Sequence, residues 1–423
     1  MRPVALMLAA AAAALTTGAC RSGPPFESPA ALPPAGASAA DPALMTEPGS
    51  GSVLATWVAG DSSAWNLFFS RSADAGATWS APVRVTTFAD DVVPTGEASP
   101  RLVAAPGGRL AVIWIRSIPV AGRQWPASAM RLARSLDGGR TWLPPITLND
   151  DTTSGAAGHN FHGASSVGDS GIITAWLDER HGDSVTARDL HATAGEPTSE
   201  PDAVVYAAYS PDFGRTWAPN RPLWGAACPC CRVALARAPD GGAVASWRQH
   251  YPGNIRDVVV APVSATRAEP ARVHRDDWGY PGCPHAGPAL AIGTRGERHV
   301  VWYTGKTGGN GIYYIRLDSA GQATGAELPL VTGAHLPPSH AAAAALADGG
   351  ALAAFDVASD GSRVITVAHI APDGTLAWKE SVPGSAGGRY PQVALAADGA
   401  ALIAWTGNGA HGTEIRLARV PRR

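Results

Sequence analysis

Charge is scarce in this sequence. Asp, Glu, Lys and Arg make up only 16% of its 423 residues, and the formal net charge is −2. A chain with no basic field has nothing to neutralise a phosphate backbone, which excludes nucleic acid as a partner. Long apolar runs are also missing. After the N-terminal segment no stretch is apolar over the length that a membrane-spanning helix needs. Cysteine is scarce as well: five residues in all, of which Cys228, Cys230, Cys231 and Cys283 lie beyond that segment.

What the sequence does have is glycine and proline, 48 and 36 residues, the composition of a turn-rich all-β chain. It also repeats. The clearest unit is Pro100 to Trp142: an apolar strand, a Gly turn, a second strand ending on Trp114, a loop, and a third strand running from Met130 to Ser135. The inner hairpin recurs with its second strand ending at Trp57, Trp114, Trp176, Trp247, Trp302, Phe355 and Trp405. Copies spaced roughly fifty to seventy residues apart and built from short strands predict a β-propeller, one four-stranded blade per copy. The count is seven blades, or six if one copy is misread. Repeats let one domain hold residues 42–423. The last copy stops after its third strand, and residues 24–41 are available to supply the fourth.

The third strand of the unit runs into Ser-x-Asp-x-Gly-x-Thr-Trp. It occurs as Ser72, Asp74, Gly76, Thr78, Trp79; as Ser135, Asp137, Gly139, Thr141, Trp142; and as Ser210, Asp212, Gly214, Thr216, Trp217. The carboxylate is suited to cap a tight turn, the glycine to a positive φ, and the Trp to packing behind the turn. This pattern resembles the Asp-box (BNR) repeat of the sialidase superfamily, and with the hairpin repeat the resemblance covers most of the chain. It implies a sialidase-like propeller, six-bladed in the enzymes, and an exo-α-sialidase or related glycoside hydrolase acting on a glycan. In such enzymes arginines clamp the substrate carboxylate, a Tyr paired with a Glu is the nucleophile and an Asp is the acid/base. The residues available for those roles are Arg232 and Arg389, Tyr390 and Asp178; Arg101, Arg180, Arg248, Tyr280 and Glu179 are further members of the same groups. The chain departs from the pattern in its first strand, where Pro42-Ala43-Leu44 replaces Arg-Ile-Pro.

The N-terminus reads as a targeting segment. Arg2 precedes a short apolar run, and Thr16-Thr17-Gly18-Ala19 leads to Cys20. Residues 1–20 look like a bacterial lipoprotein signal with Cys20 as the lipidated residue, although Thr17 stands where Leu is usual. Residues 21–41, rich in Pro, Ala, Ser and Gly, read as a flexible tether. The expectation is an exported monomer, in the periplasm or on the outer membrane, touching the membrane through its lipid alone.

Propeller geometry sorts the remaining residues. Asp boxes lie on one face, and the links entering each inner strand lie on the other, where ligands bind. All histidines but His299 and His369 fall on the second face, as do the four mature cysteines. His162, Cys230, Cys231, His285 and His340 sit at inner-strand starts, which ring the central channel. Thiolate and imidazole donors suit Cu or Zn. The reading is therefore an axial site holding a metal ion or another small molecule through some of His162, Cys228, Cys230, Cys231, Cys283, His285 and His340. Disulfides tying the fourth repeat to the fifth use the same cysteines in a second reading. A non-catalytic cell-envelope scaffold is the third.

Overall fold

The computed structural model describes residues 26–28, 31–61, 64–122, 126–151, 157–180, 202–264, 268–333, 337–359 and 361–422. The signal with Cys20, residues 21–25 and 29–30 of the tether, His181 and His335 lie outside these. Among the described residues there are strands and turns and no helix.

The strands form six antiparallel sheets, and the eight-stranded one divides into two sets joined by the single pair Ala227 and Gln249, which gives seven successive sets. Their inner strands are Ser38–Thr46, Arg101–Ala105, His159–Val167, Ala234–Arg237, Ala289–Ile292, Ala341–Ala345 and Arg389–Leu395. Each inner strand packs on the next, and the last packs on the first, so the sets form the blades of a closed ring. The fold is a β-propeller. The hairpin residues expected at the end of each second strand, Trp57, Trp114, Trp176, Trp247, Trp302, Phe355 and Trp405, are all buried. An isolated sheet buries only one face against another layer; here each blade covers its neighbour on both sides.

Blade seven contributes three strands, Arg389–Leu395, Ala401–Gly409 and Gly412–Val420. Its outer edge is met by the N-terminal segment: Glu27 and Arg419 exchange two backbone hydrogen bonds of 2.9 Å. Phe26 packs beside them against the blade-seven core. The stretch read as tether is therefore partly structural, since Ser38–Asp41 also belong to the first inner strand.

The three Asp boxes share one hydrogen-bond pattern. In the second, Gly139 N–H donates to Ser135 Oγ at 2.8 Å, Thr141 N–H to Asp137 Oδ1 at 2.9 Å and Thr141 Oγ1 to Asp137 Oδ2 at 2.6 Å. Two successive residues take positive φ in each box: Ala75–Gly76, Gly138–Gly139 and Phe213–Gly214. At Gly139 a side chain is excluded twice, because φ is 89° and a Cβ would lie 2.1 Å from Phe69. The box Trp does not stay in its own blade. Trp142 packs edge-on against Phe69 of blade one, and Trp217 joins the core cluster that holds Leu132 of blade two. Each of these boxes clips its blade to the preceding one.

The boxes make stability acid-sensitive. Hydrogen bonds from Thr78 and Thr141, side chain first, and from the Thr216 backbone hold Asp74, Asp137 and Asp212 down from the usual 3.8 to about 2. A carboxylate depressed in the folded state stabilises it above its unfolded pKa and loses that contribution as pH falls through the folded value. The urea midpoint is expected to drop between about pH 4 and pH 2. The triple variant Asp74→Asn, Asp137→Asn, Asp212→Asn is expected to start lower at neutral pH and lose less across that window. Parallel curves for the two proteins would contradict this account of the boxes.

Candidate ligand site at the channel mouth

The entries to the inner strands are irregular in three blades. Register shifts opposite Trp57, Trp176 and Trp405 bulge the backbone, and Asp41, Phe161 and Tyr390 take φ of 54°, 57° and 56° there. A bulge re-aims a side chain that a regular strand would send into the sheet, and strain of this kind collects at functional sites.

The centre of the mouth is a carboxylate that the sequence analysis did not single out. Glu97, in the link before blade two, is buried. Its Oε2 accepts Arg232 Nη1 at 3.2 Å, and its Oε1 accepts the Gly287 N–H at 2.6 Å and the Arg232 N–H at 3.4 Å. His340 Nε2 lies 3.9 Å from Oε2. Arg232 also donates to the Ala341 carbonyl. One carboxylate thus ties the entries of blades two, four, five and six.

Around it stand the other predicted groups. His340 Nδ1 is 2.8 Å from Asp356 Oδ2, and its Nε2 is 3.1 Å from the His285 carbonyl. Asp356 also receives Arg363 and the Tyr390 N–H, the latter at 3.0 Å. The Tyr390 ring lies 4.2 Å from the His340 ring and against Gly96, whose lack of a Cβ makes room for it. Burial pushes the Tyr390 phenol up, with the Glu97, Asp356 and Asp41 charges adding to the shift. Asp41 accepts the Thr95 and Gly96 N–H groups at 2.5 and 2.9 Å; burial raises its carboxyl nonetheless. Arg389 is exposed beside Tyr390.

Arg101 is the unmatched member. Its Nε donates to the His162 carbonyl at 3.4 Å, and no carboxylate among the described residues lies within ion-pair distance of it. Burial, followed by the neighbouring Arg232 charge, brings it down to about 10. The same burial and the Arg101 charge hold His162 at about 3, so its imidazole is neutral; Nε2 contacts the Ile113 carbonyl at 3.1 Å and Nδ1 has no partner.

The cysteines form a second group beside the first. The outer strand of blade three, Arg221–Ala227, runs inward until Ala227 pairs with Gln249 of blade four, and the Cys228 N–H then donates to the Arg248 carbonyl at 2.9 Å. This delivers Cys228, Cys230 and Cys231 to the mouth. Cys230 is bonded to Cys283, with Cα atoms 5.8 Å apart, and Cys228 and Cys231 are free and buried. Cys228 Sγ lies 3.5 Å from Cys231 Sγ, 3.7 Å from Cys230 Sγ and 3.1 Å from Arg256 Nη1. Burial alone would raise the Cys228 thiol; Cys231 and the Arg256 and Arg248 charges outweigh it and bring it down to about 6. Burial and then Cys228 push Cys231 up. Cys230, Cys283 and His285 also bring their donor atoms within 4.8 Å of one another. Neither that group nor the Cys228, Cys230, Cys231 group includes His162 or His340, so the seven-residue donor set divides.

Asp178 serves a different network. It accepts Trp176 Nε1 at 2.7 Å and Arg180 at 2.9 Å, within 3.6 Å of His159. Arg248 is likewise occupied, donating to the Arg256, Ala286 and Tyr303 carbonyls. A cavity of about 670 Å³ between blades six and seven, lined by Leu352, His369, Trp378, Leu395 and Arg422, holds none of these groups.

No protein-family profile matches the chain, and no curated protein sequence matches it. Solved structures do. An ulvan lyase of a polysaccharide lyase family, bound to -[GlcA(1-4)Rha3S]-, is similar with a TM-score of 0.55 at 11% identity, over 90% of this chain and 93% of that one. A Hadza microbial sialidase is 17% identical with a TM-score of 0.48, over 90% of this chain and 66% of that one, so this chain spans about two thirds of its length. A protein of unknown function from Dyadobacter fermentans is 15% identical with a TM-score of 0.49, over 78% of this chain and 97% of that one. Likeness at these identities is likeness of fold.

Replacing Glu97 tests the centre of the mouth. Glu97→Ala leaves the Arg232 charge buried without its carboxylate and is expected to cost about 3–5 kcal/mol in urea unfolding. Glu97→Gln keeps an acceptor for Gly287 and is expected to cost less. A loss below about 1 kcal/mol for the alanine variant would place Glu97 outside the structural centre.

Proposed function

We propose that the channel mouth binds an acidic sugar, with Arg101 meeting its carboxylate. The observation that carries this reading is Arg101 itself: a guanidinium at the mouth, beside a second one at Arg232, with no carboxylate in ion-pair reach among the described residues. Counting the whole cluster, the guanidiniums of Arg101, Arg232, Arg363 and Arg389 face the carboxylates of Asp41, Glu97 and Asp356. One cation is left over. A planar, permanently charged fork is well matched to a carboxylate. The ulvan lyase that shares the fold was solved with a GlcA-containing fragment, which supports the ligand class.

The neighbours of Arg101 give the site acid–base chemistry. Asp356 fixes the His340 imidazole by its Nδ1, and the Tyr390 phenol packs on that imidazole. A carboxylate held by arginine, with His and Tyr beside it, suits cleavage of the neighbouring glycosidic bond by hydrolysis or by elimination. Arg232 serves to hold Glu97 and the strand entries, and Arg389 widens the positive rim.

Calorimetry with glucuronate and N-acetylneuraminate, and glucose as the neutral control, checks the reading. The acids are expected to bind with an affinity that falls as salt is added. Arg101→Gln is expected to weaken them about ten- to a hundredfold, and Arg389→Gln less. Incubation with acidic polysaccharides then separates reducing-end release from the ultraviolet absorbance of an unsaturated product. Equal binding of glucose, or no effect of Arg101→Gln, would overturn the assignment.

A further inference from the structure

We propose that the Cys228-Pro229-Cys230-Cys231 turn and Cys283 form an internal thiol–disulfide exchange centre, in which the bond moves from Cys230–Cys283 to Cys228–Cys231. The proposal rests on four sulfurs brought to one place by two chain segments, and it uses none of the groups assigned to the sugar.

The geometry supplies an attacking thiol, a disulfide and a resolving thiol. Cys228 Sγ is 3.7 Å from Cys230 Sγ, one half of the existing bond, and 3.5 Å from Cys231 Sγ. Arg256 Nη1 lies 3.1 Å from Cys228 Sγ, and Arg256 is itself held by the Tyr280 carbonyl at 2.8 Å. A fixed guanidinium at that distance favours the thiolate, the form that attacks. Cys228 and Cys231 stand three apart in the chain and neither is tied down by a bond of its own. Two buried free thiols against a disulfide are not needed for packing alone, which small apolar side chains would satisfy.

The steps balance without an external oxidant. Cys228 thiolate attacks Cys230 Sγ; the Cys230–Cys283 bond breaks, and Cys283 leaves as a thiolate and takes up the proton that Cys228 gave up. Cys231, as thiolate, then attacks Cys228 Sγ; the Cys228–Cys230 bond breaks and Cys230 leaves and is protonated in turn. One disulfide and two thiols are present before and after. What changes is their position. Cys228 and Cys231 are fully buried, whereas Cys283 is half-buried next to the exposed His285. The exchange therefore trades an enclosed dithiol for one that reaches the mouth, Cys230 and Cys283 beside an imidazole, a group reactive toward thiol-directed molecules arriving from solvent.

The test is alkylation of the native protein, purified without reductant, by iodoacetamide, with peptide mapping of each cysteine over time. In the wild type Cys283 is expected to be labelled progressively while the Cys228–Cys231 disulfide appears in step. In Cys228→Ser the attacking thiol is gone, and Cys283 labelling is expected to fall at least tenfold. In Cys231→Ser the bond can move only as far as Cys228–Cys230, so the Cys228–Cys231 peptide is absent. Three results would overturn the proposal: Cys283 unlabelled in the wild type with Cys228 and Cys231 recovered as thiols; equal labelling of Cys283 in Cys228→Ser; or stoichiometric Cu or Zn in the purified protein that shields the thiols. The first and third are read on the wild type alone, so a variant that fails to fold does not spare the idea.

Discussion

A carboxylate taken out of water at the centre of a ring has to be matched there, and the matching groups can come only from different blades. Glu97 meets that constraint with the Arg232 guanidinium, the Gly287 N–H and the nearby His340 imidazole. Removing any partner leaves charge in a region that water does not reach, which is far costlier than losing a surface ion pair. The inner strands of blades four, five and six are short, at 4, 4 and 5 residues. The shared carboxylate fixes those ends, and so fixes where Arg101, Tyr390, His340 and the cysteines stand.

The two faces of the molecule divide the work. On one face the Asp boxes satisfy their own turns locally and send a Trp into the preceding blade. Each box carboxylate accepts from the Thr four residues on, backbone and side chain both. On the other face the strand entries carry bulges, positive φ at non-glycine residues, a guanidinium with no carboxylate in ion-pair reach among the described residues, and two thiols beside a disulfide. Polar groups left unmatched in a folded protein are expensive, and the mouth is where such groups stand beside strained strand entries.

How much of this was legible depended on whether a feature is local. The blades were legible because the hairpin pattern and its terminal Trp repeat along the chain, and the box turns because five residue types within eight positions determine their own hydrogen bonds. The convergence of Cys230, Cys231 and His285 on the mouth followed from the repeat register. Glu97 was not legible: it sits in a link, outside any motif, and acquires its role only when the ring brings Arg232 and Gly287 to it. The bulges at Asp41 and Phe161 were hidden for the same reason. Asp178 drew notice as a carboxylate in a ligand-face loop, but its oxygens are shared by Trp176 and Arg180, partners that the sequence placed two residues away on either side. His162 was grouped with His285 and His340 by register; its ring instead turns to the Ile113 carbonyl.

On the reading proposed above, the mouth and not the box face receives the ligand. Hydrogen–deuterium exchange of the full chain with and without saturating acidic oligosaccharide distinguishes the two faces. The prediction is added protection in the segments around Gly96 to Arg101, Cys228 to Val233, His285 to Pro288 and Arg389 to Gln392, with the three box turns unchanged. Protection centred on the box turns, or on the cavity between blades six and seven, would contradict it.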